Sequence, residues 1–154
     1  KFCIIDDYGH HPTEIRATVK AIRKFKRLLV VFQPHRYTRT RDLQVEFGKC
    51  FKGADNVIVM DIYGAGEKPI QDVSSQLIVN QILKNGIPSE FVPDEESVCE
   101  KVLKNLTNGD VVLFCGAGAN VTEAAHKVAD ILSKKENNRT ETVDCSAVSG
   151  RYRD

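Results

Sequence analysis

Residues 2–15 read FCIIDDYGHHPTEI, and this stretch indicates the fold class of the chain. Residues 2–5 are apolar at every position, as expected for a strand that is covered on both faces of a parallel sheet. Pro12 suits the first turn of a helix, and Ile15 begins an apolar period with helical spacing. A buried strand, a polar loop and an amphipathic helix therefore follow one another, which is the repeating unit of an α/β fold.

The same unit recurs along the chain. Apolar runs predict five strands, at residues 2–5, 28–32, 56–60, 90–92 and 111–115. Each run is followed by an apolar period of helical spacing, and the longest of these ends near Leu132. We therefore expect a single α/β domain, with a doubly wound, mostly parallel sheet and helices on both faces. A further strand near residues 62–70 is an open alternative.

Composition limits the class of protein. The chain has 154 residues and a net charge of +1, and it lacks an apolar run of the ~18 residues that a membrane span needs. Its five cysteines include no C-x-x-C pair, which argues against a zinc knuckle or a redox motif and suits a reducing compartment. Residues 10–52 hold 11 Lys or Arg against 3 Asp or Glu, but without a nucleic-acid motif. We expect a soluble, cytosolic protein with no membrane or nucleic-acid partner.

Polar or glycine-rich loops follow four of the predicted strands. They span residues 6–12, 33–39, 61–67 and 116–120. The carboxyl ends of parallel strands meet at one edge of a sheet, which is where folds of this class bind ligands. We therefore predict a ligand site that is built from these four loops.

The first loop offers a carboxylate, a phenol and two imidazoles. We predict that Asp7, Tyr8 and His10 contact the ligand, whereas Asp6 and His11 are equally consistent with capping or turn residues. Adjacent histidines cannot easily bind one metal ion from the same backbone direction, and no H-E-x-x-H or carboxylate spacing supports a metal site. No metal-binding residue is predicted.

The second loop places Arg36 and Arg39 three residues apart at the start of a predicted helix. Two guanidinium groups beside a helix N-terminus suit a carboxylate or a phosphate, since the fork geometry and the helix dipole both favour an anion. His35 and Arg41 add to the positive charge, and the neighbouring acid is Asp42. An anion pocket is the favoured interpretation, and an ordinary surface ion pair is the alternative.

The glycines of the other two loops are less specific. Residues 116–118 read Gly-Ala-Gly, like a shortened dinucleotide fingerprint, but Val121 stands where the third glycine would be. A tight strand-to-helix turn is favoured there, with a ligand-facing backbone as the alternative. Gly64 and Gly66 predict a permissive turn, and Glu67 is a candidate for an ion pair or a site residue. No phosphate loop of the form G-x-x-x-x-G-K-[ST] occurs, so the phosphate machinery of any ATP chemistry must lie elsewhere.

Four stretches resemble the Mur ligase family, in order along the chain: residues 6–14, 32–39, 61–67 and 116–118. The resemblance spans residues 1–133, and it implies the Rossmann-like C-terminal, amino-acid-binding domain of a three-domain enzyme. Residues 134–154 match nothing in the family pattern, and we interpret them as a polar C-terminal tail.

The resemblance implies an activity that the residues alone do not establish. It implies an ATP-dependent ligase that forms an amide bond between L-alanine and UDP-N-acetylmuramate in peptidoglycan biosynthesis, with Mg2+ accompanying ATP. It also implies a bacterial, cytoplasmic enzyme in which a central ATPase domain and an N-terminal UDP-sugar domain are the partners of this domain. A homodimer is left open. We expect the isolated domain to bind no cofactor and to be inactive on its own.

The resemblance also implies roles for individual residues. Asp7 would contact the ribose of ATP, and His10 is a candidate for contact with the adenine. Five residues would line the L-alanine pocket: Tyr8, His10, His35, Arg36 and Arg39. No residue of the domain is assigned a catalytic role.

Two other functions stay open. A recycling ligase of the family attaches an intact tripeptide to the same UDP-sugar, but in that enzyme we expect Phe-Ala in place of Tyr8-Gly9 and a different sequence in place of residues 35–39. A free-standing, non-catalytic nucleotide-binding module is the alternative from another class. A phosphate-loop domain upstream in the full gene product would exclude it.

Overall fold

The computed structural model describes residues 2–24 and 27–136, and the backbone of residues 141–144. The strands are β1 (Cys3–Asp7), β2 (Arg27–Phe32), β3 (Asn56–Val59), β4 (Ser89–Phe91), β5 (Asp110–Cys115) and β6 (Glu141–Asp144). The helices are α1 (Pro12–Ile22), α2 (Tyr37–Cys50), α3 (Gln76–Lys84), α4 (Glu95–Asn105) and α5 (Ala119–Glu136). Along these described ranges, no helix is long and apolar enough to cross a bilayer.

The strands form one parallel sheet in the order β4-β3-β2-β5-β1-β6. All five predicted strands are present. Chain order alternates between strand and helix, so each connection crosses over the sheet and returns the next strand in the same direction. The predicted single α/β fold with a doubly wound parallel sheet is confirmed.

Two apolar cores lie on opposite faces of the sheet because consecutive strand residues point to opposite sides. In β2, Val30 and Phe32 belong to the core with α1, α2 and α3, whereas Leu29 and Val31 belong to the core with α4 and α5. Each of these side chains is 7% exposed or less. Both faces are therefore covered, which explains why the central strand β2 is apolar over residues 28–32 instead of alternating between apolar and polar.

The region predicted to be a polar tail contains secondary structure. Helix α5 continues to Glu136, past the predicted domain boundary at residue 133, and residues 141–144 pair with β1 as β6. The sequence does not predict β6, because ETVD contains a single apolar residue and β6 is an edge strand. Residues 137–140 and 145–154 of the predicted tail lie outside the described residues. The boundary itself stays a prediction.

The further strand considered near residues 62–70 does not form. The backbone turns back on itself there, since Ala65 and Gly66 have φ values of 50° and 88°. The Glu67 N–H donates to the Gly64 carbonyl oxygen (3.0 Å) and closes the turn. A single isolated bridge joins Tyr63 to His35, and it ties this loop to the one that precedes α2.

Candidate functional site

The polar loops meet at the carboxyl edge of the sheet, as predicted. The Gly116 N–H donates to the Asp7 carbonyl oxygen (3.1 Å), which joins the fourth loop to the first. The Tyr63 N–H donates to the Pro34 carbonyl oxygen (2.9 Å), which joins the third loop to the second. These backbone bonds fix the relative positions of loops that are far apart in sequence.

A row of four rings runs across this edge. Neighbouring ring centroids are 5.6 Å apart for Tyr8 and His10, 5.5 Å for His10 and His35, and 5.8 Å for His35 and Tyr63. These separations are typical of packed aromatic pairs. Tyr8 is 71% exposed, so the row forms an open wall. Three predicted site residues therefore stand side by side, and they are joined by Tyr63, which sequence reasoning missed although it follows a strand in the same way.

The side chains of His35 and Arg39 are hydrogen-bonded to each other. The Nη1 atom of Arg39 lies 3.2 Å from Nδ1 of His35. Because a guanidinium group can only donate, Nδ1 accepts and the ring proton is on Nε2. Burial lowers the pKa of His35, and the neighbouring Arg39, His10 and Arg36 lower it further. The neutral ring therefore orients the Arg39 side chain without cancelling its charge.

Arg36 has a backbone conformation that is uncommon for residues other than glycine, with φ 73° and ψ 139°. Its N–H donates to the Tyr63 carbonyl oxygen (2.8 Å), and its carbonyl oxygen accepts from the N–H and the hydroxyl of Thr40 (3.2 and 3.0 Å). In the described part of the chain, its exposed side chain makes no hydrogen bond or ion pair. The ion-pair alternative applies instead to Arg41, which pairs with Asp42 (2.7 Å).

One part of the predicted anion pocket is wrong: the N-terminus of α2 is not open to a ligand, because Glu67 binds there. Its carboxylate accepts from the N–H and the hydroxyl of Thr38 in the first turn of α2 (3.0 and 2.5 Å). These bonds from Thr38 are the main cause that holds the pKa of Glu67 below its ordinary value, and the charge of Arg36 contributes. The start of α2 therefore already holds a carboxylate of the protein itself. A bound anion would meet the guanidinium groups and not a free helix end.

The structure separates the two residues of the first loop whose roles were left open. His11 is the N-cap of α1: its Nδ1 accepts from the Thr13 N–H (3.3 Å), while the Glu14 carboxylate accepts from the His11 N–H (3.2 Å). Asp6 instead approaches α5, where its carboxylate accepts from the Thr122 hydroxyl (3.4 Å). The capping interpretation of His11 is confirmed, and Asp6 lies against the other face of the sheet.

Asp7 ends β1, and both of its carboxylate oxygens accept hydrogen bonds. Oδ1 accepts from the Gly9 N–H (3.2 Å), and Oδ2 accepts from the Thr18 hydroxyl (2.6 Å). Each carboxylate oxygen has a second lone pair, and the side chain is only half-buried. The carboxylate is therefore oriented and still able to accept further hydrogen bonds. Its contact with ribose stays a prediction.

The Gly-Ala-Gly turn serves the packing of Gln33, a buried polar residue at the end of β2 that the sequence analysis did not single out. Gln33 is 2% exposed, and its Nε2 donates to the Asp61 carbonyl oxygen (3.3 Å). A Cβ on Gly116, which has φ 140°, would lie 2.7 Å from the Gln33 carbonyl oxygen. A Cβ on Gly118 would collide with Oε1 of Gln33. The tight-turn interpretation of these glycines is confirmed.

The described residues contain neither a metal-binding cluster nor a disulfide. Among them, no group of three or more His, Cys, Asp or Glu could hold a metal ion. Among the described cysteines, Cys50, Cys99 and Cys115 are free thiols. Burial raises the pKa of Cys50 and Cys115, so neither is a ready nucleophile. Cys145 lies outside the described residues.

Comparison with known proteins finds matches over most of the chain. The family model of the Mur ligase glutamate ligase domain matches residues 1–118. A UDP-N-acetylmuramate–L-alanine ligase from Endomicrobium trichonymphae is 52% identical over 118 residues, which cover 75% of this chain and 25% of that protein. The chain thus spans about a quarter of the length of this curated relative.

Two solved structures share the fold. A UDP-N-acetylmuramate–alanine ligase from Thermotoga maritima superimposes with a TM-score of 0.68 at 23% identity, over 87% of this chain and 27% of that one. A murein peptide ligase from Psychrobacter arcticus superimposes with a TM-score of 0.66 at 16% identity, over 84% of this chain and 27% of that one. At these identities the likeness concerns the fold alone.

Proposed function

Because the chain belongs to the Mur ligase family, we propose that it is the amino-acid-binding domain of a ligase that joins L-alanine to UDP-N-acetylmuramate at the expense of ATP. The observation that carries the proposal is the family match over residues 1–118. That match contains all five residues proposed to line the L-alanine pocket: Tyr8, His10, His35, Arg36 and Arg39. The name of the relative at 52% identity supports L-alanine as the amino acid.

In the proposed reaction, the γ-phosphoryl group of ATP passes to the carboxylate of the muramic acid and leaves ADP. The neutral amine of L-alanine then attacks the carbonyl carbon of the acyl phosphate. A C–N bond forms, the C–O bond to phosphate breaks, inorganic phosphate leaves, and the nitrogen loses a proton. The task of this domain is to bring the amine to that carbon in the correct orientation, because a positioned nucleophile reacts far faster than a free one.

The two guanidinium groups are suited to hold the carboxylate of L-alanine. Among the described residues Arg36 makes no ion pair, although it lies near enough to Glu67 to lower the pKa of that carboxyl, and Arg39 is hydrogen-bonded to the neutral ring of His35. Two charge-assisted contacts to one end of a small substrate fix the direction of its amine at the other end. We assign no proton transfer to His35, because its Nδ1 is occupied by Arg39.

The ring row supplies the remaining wall of the proposed pocket. The rings of Tyr8 and His10 pack edge to face, with their centroids 5.6 Å apart. Such rings suit apolar contact with a methyl group, and we propose that His10 also contacts the adenine. Asp7, with its oriented carboxylate, is suited to accept hydrogen bonds from the ribose hydroxyls of ATP.

ATP and Mg2+ would be bound mainly by other domains of the enzyme. The sequence has no phosphate loop, and the described residues contain no cluster that could hold a metal ion. In the proposal, a central ATPase domain supplies both sites, and an N-terminal domain supplies the UDP-sugar site. The cytoplasmic location, the inactivity of the isolated domain and a homodimer remain predictions.

The tripeptide-recycling ligase is the main alternative, since a murein peptide ligase shares this fold. Gly9 favours the L-alanine reaction. A Cβ at this position would lie 3.2 Å from Oδ2 of Asp7, so the alanine expected there in the recycling enzyme would require the Asp7 carboxylate to shift by a few tenths of an ångström. The non-catalytic module is disfavoured by the named relative, whose length is about four times the matched part.

The proposal is tested with the intact gene product that contains this chain. Phosphate release should require ATP, Mg2+, UDP-N-acetylmuramate and L-alanine together, and the product should be UDP-N-acetylmuramoyl-L-alanine. Release with L-alanyl-γ-D-glutamyl-diaminopimelate but not with L-alanine would establish the recycling alternative. A gene product without a phosphate-loop domain and without turnover on either amine would establish the non-catalytic module.

A further inference from the structure

The start of α2 is held at two points by a separate loop, residues 63–67, which we call the clamp loop. At one end of the clamp loop, the Tyr63 carbonyl oxygen accepts from the Arg36 N–H (2.8 Å). At the other end, the Glu67 carboxylate accepts from the N–H and the hydroxyl of Thr38 (3.0 and 2.5 Å). The two contacts lie on either side of Tyr37, so they bracket the first turn of the helix.

We propose that Glu67 is a positioning residue for the L-alanine pocket. By capping α2 from the clamp loop, it holds the backbone of Arg36 in place and thereby sets the directions of the Arg36 and Arg39 side chains. This inference rests on the proposed function, since it concerns the same pocket. It adds a residue that does not itself touch L-alanine.

The backbone of Arg36 explains why such a restraint is needed. A residue with a Cβ is disfavoured at φ 73°, and a conformation of this kind persists only where the surroundings hold it. The N–H of Arg36 is held by the clamp loop and its carbonyl oxygen by Thr40. The clamp loop is itself strained, since Ala65 also has a positive φ (50°). Without the hydrogen bonds between Thr38 and Glu67, the C-terminal end of the clamp loop would no longer be attached to α2.

The contacts of Glu67 indicate that it acts by holding the start of α2 and not by the effect of its charge on the substrate. Each of its carboxylate oxygens accepts a hydrogen bond from Thr38. Its charge near Arg36 is one small cause of its lowered pKa, well behind those bonds. A neutral side chain of the same shape should therefore preserve most of its effect. Glutamine has that shape: its carbonyl oxygen can accept from the Thr38 N–H, and its amide can donate to the Thr38 hydroxyl.

The experiment uses the intact ligase and separates the three Michaelis constants. Glu67→Ala should raise the KM for L-alanine roughly tenfold or more, as expected when charge-assisted contacts of the two arginines are misdirected. The KM values for ATP and for UDP-N-acetylmuramate should stay within about twofold. Glu67→Gln should keep the KM for L-alanine within about threefold of wild type.

Asp94→Ala is the matched control. Asp94 caps α4 with the same chemistry, since its carboxylate accepts from the N–H and the hydroxyl of Ser97 (2.9 Å each). The two alanine variants remove the same kind of helix cap, so both should lower the melting temperature. Only Glu67→Ala should change the KM for L-alanine.

A second variant keeps the test decisive if Glu67→Ala does not fold. Thr38→Val removes the hydroxyl but keeps the N–H, so it should by itself raise the KM for L-alanine and leave the KM values for ATP and UDP-N-acetylmuramate within about twofold. Where both fold, the double variant should be no worse than Glu67→Ala alone, because both changes break the same contact. Independent, additive losses would overturn the positioning role.

Three other results would also overturn it. They are a wild-type KM for L-alanine in Glu67→Ala, an equal rise in all three KM values, and a loss in Glu67→Gln as large as in Glu67→Ala. The last result would mean that the charge of Glu67 acts on the substrate directly. Failure of the proposed function looks different, because the wild-type enzyme would then not use L-alanine at all.

Discussion

The Nη1 atom of Arg39 lies 3.2 Å from Nδ1 of His35, so a permanent cation donates to an imidazole whose pKa is lowered, first by burial and then by Arg39 itself. The pair therefore carries the single charge of the guanidinium group. Arg36 adds a second positive charge and makes no ion pair among the described residues. The pocket is positive through two arginines, and His35 serves as a neutral support for Arg39.

The arginines give the first prediction. In the intact enzyme, Arg36→Ala and Arg39→Ala should each remove a charge-assisted contact to L-alanine, which is worth about 1.5–3 kcal/mol. The KM for L-alanine should rise roughly ten- to a hundredfold. Steady-state kinetics with varied L-alanine would measure it. Arg41→Ala is the control, because Arg41 is paired with Asp42 on the exposed side of α2 and should keep wild-type kinetics. Equal behaviour of all three variants would remove the arginines from the pocket.

The second prediction concerns pH. The folded state lowers the pKa of His35 from its ordinary value of 6.5, so the unfolded chain takes up the proton first as the pH falls. The contribution of His35 to the free energy of unfolding should therefore decrease as the pH falls through about 6.5 and should level off below the pKa of the folded state. His35→Gln cannot be protonated and should lose this part of the decline. Denaturant unfolding between pH 5 and 8 compares the two. Parallel curves would contradict the lowered pKa.

The sequence predicts the sheet well because its strands are buried on both faces. Residues such as Val30 and Val31 point to opposite cores, so an unbroken apolar run marks each such strand. The edge strand β6 gives no such run and escapes prediction. The loops converge because parallel strands end together, which follows from the fold class alone.

The details of the site depend on contacts that no local pattern marks. Glu67 and Thr38 are 29 positions apart, and they meet only because the turn at residues 65–66 reverses the chain. The positive φ of Arg36 is equally hidden, since no glycine stands there as a signal. Gln33 ends an apolar run and is followed by a proline, but its burial against the glycine turn appears only in three dimensions.

The glycine turn gives the third prediction. Gly118→Ala should destabilise the domain by about 1–3 kcal/mol, because the new methyl group collides with the buried Oε1 of Gln33. Denaturant unfolding measures the loss. In a Gln33→Ala background the colliding atom is absent, so the same glycine substitution should cost much less. Equal costs in both backgrounds would show that the backbone of Gly118, and not the contact with Gln33, requires a glycine.

The isolated chain gives the fourth prediction. Purified alone, it should release no phosphate from ATP in the presence of Mg2+, UDP-N-acetylmuramate and L-alanine, because the sequence has no phosphate loop. A malachite-green assay, with the intact gene product as the positive control, would measure phosphate. Turnover by the isolated chain above a no-enzyme blank would place a complete active site within this domain and would overturn the proposed division of labour.

The last prediction separates two roles of Asp7. Its carboxylate accepts from the Thr18 hydroxyl (2.6 Å) and the Gly9 N–H (3.2 Å), so it has a scaffold role in addition to the proposed contact with ribose. Thr18→Val removes the scaffold bond alone and should lower the melting temperature with little change in the KM for ATP. Asp7→Asn also removes the charge and replaces one acceptor oxygen with an NH2 donor, so the amide reproduces the contacts with two ribose hydroxyls only in part. In the intact enzyme, Asp7→Asn should therefore weaken the use of ATP much more than that of 2′,3′-dideoxy-ATP, which lacks those hydroxyls. Under the proposed function this domain closes over the nucleotide to complete the site, so kcat should fall as well. Equal losses with both nucleotides, accompanied by the same instability as in Thr18→Val, would assign Asp7 to the scaffold alone.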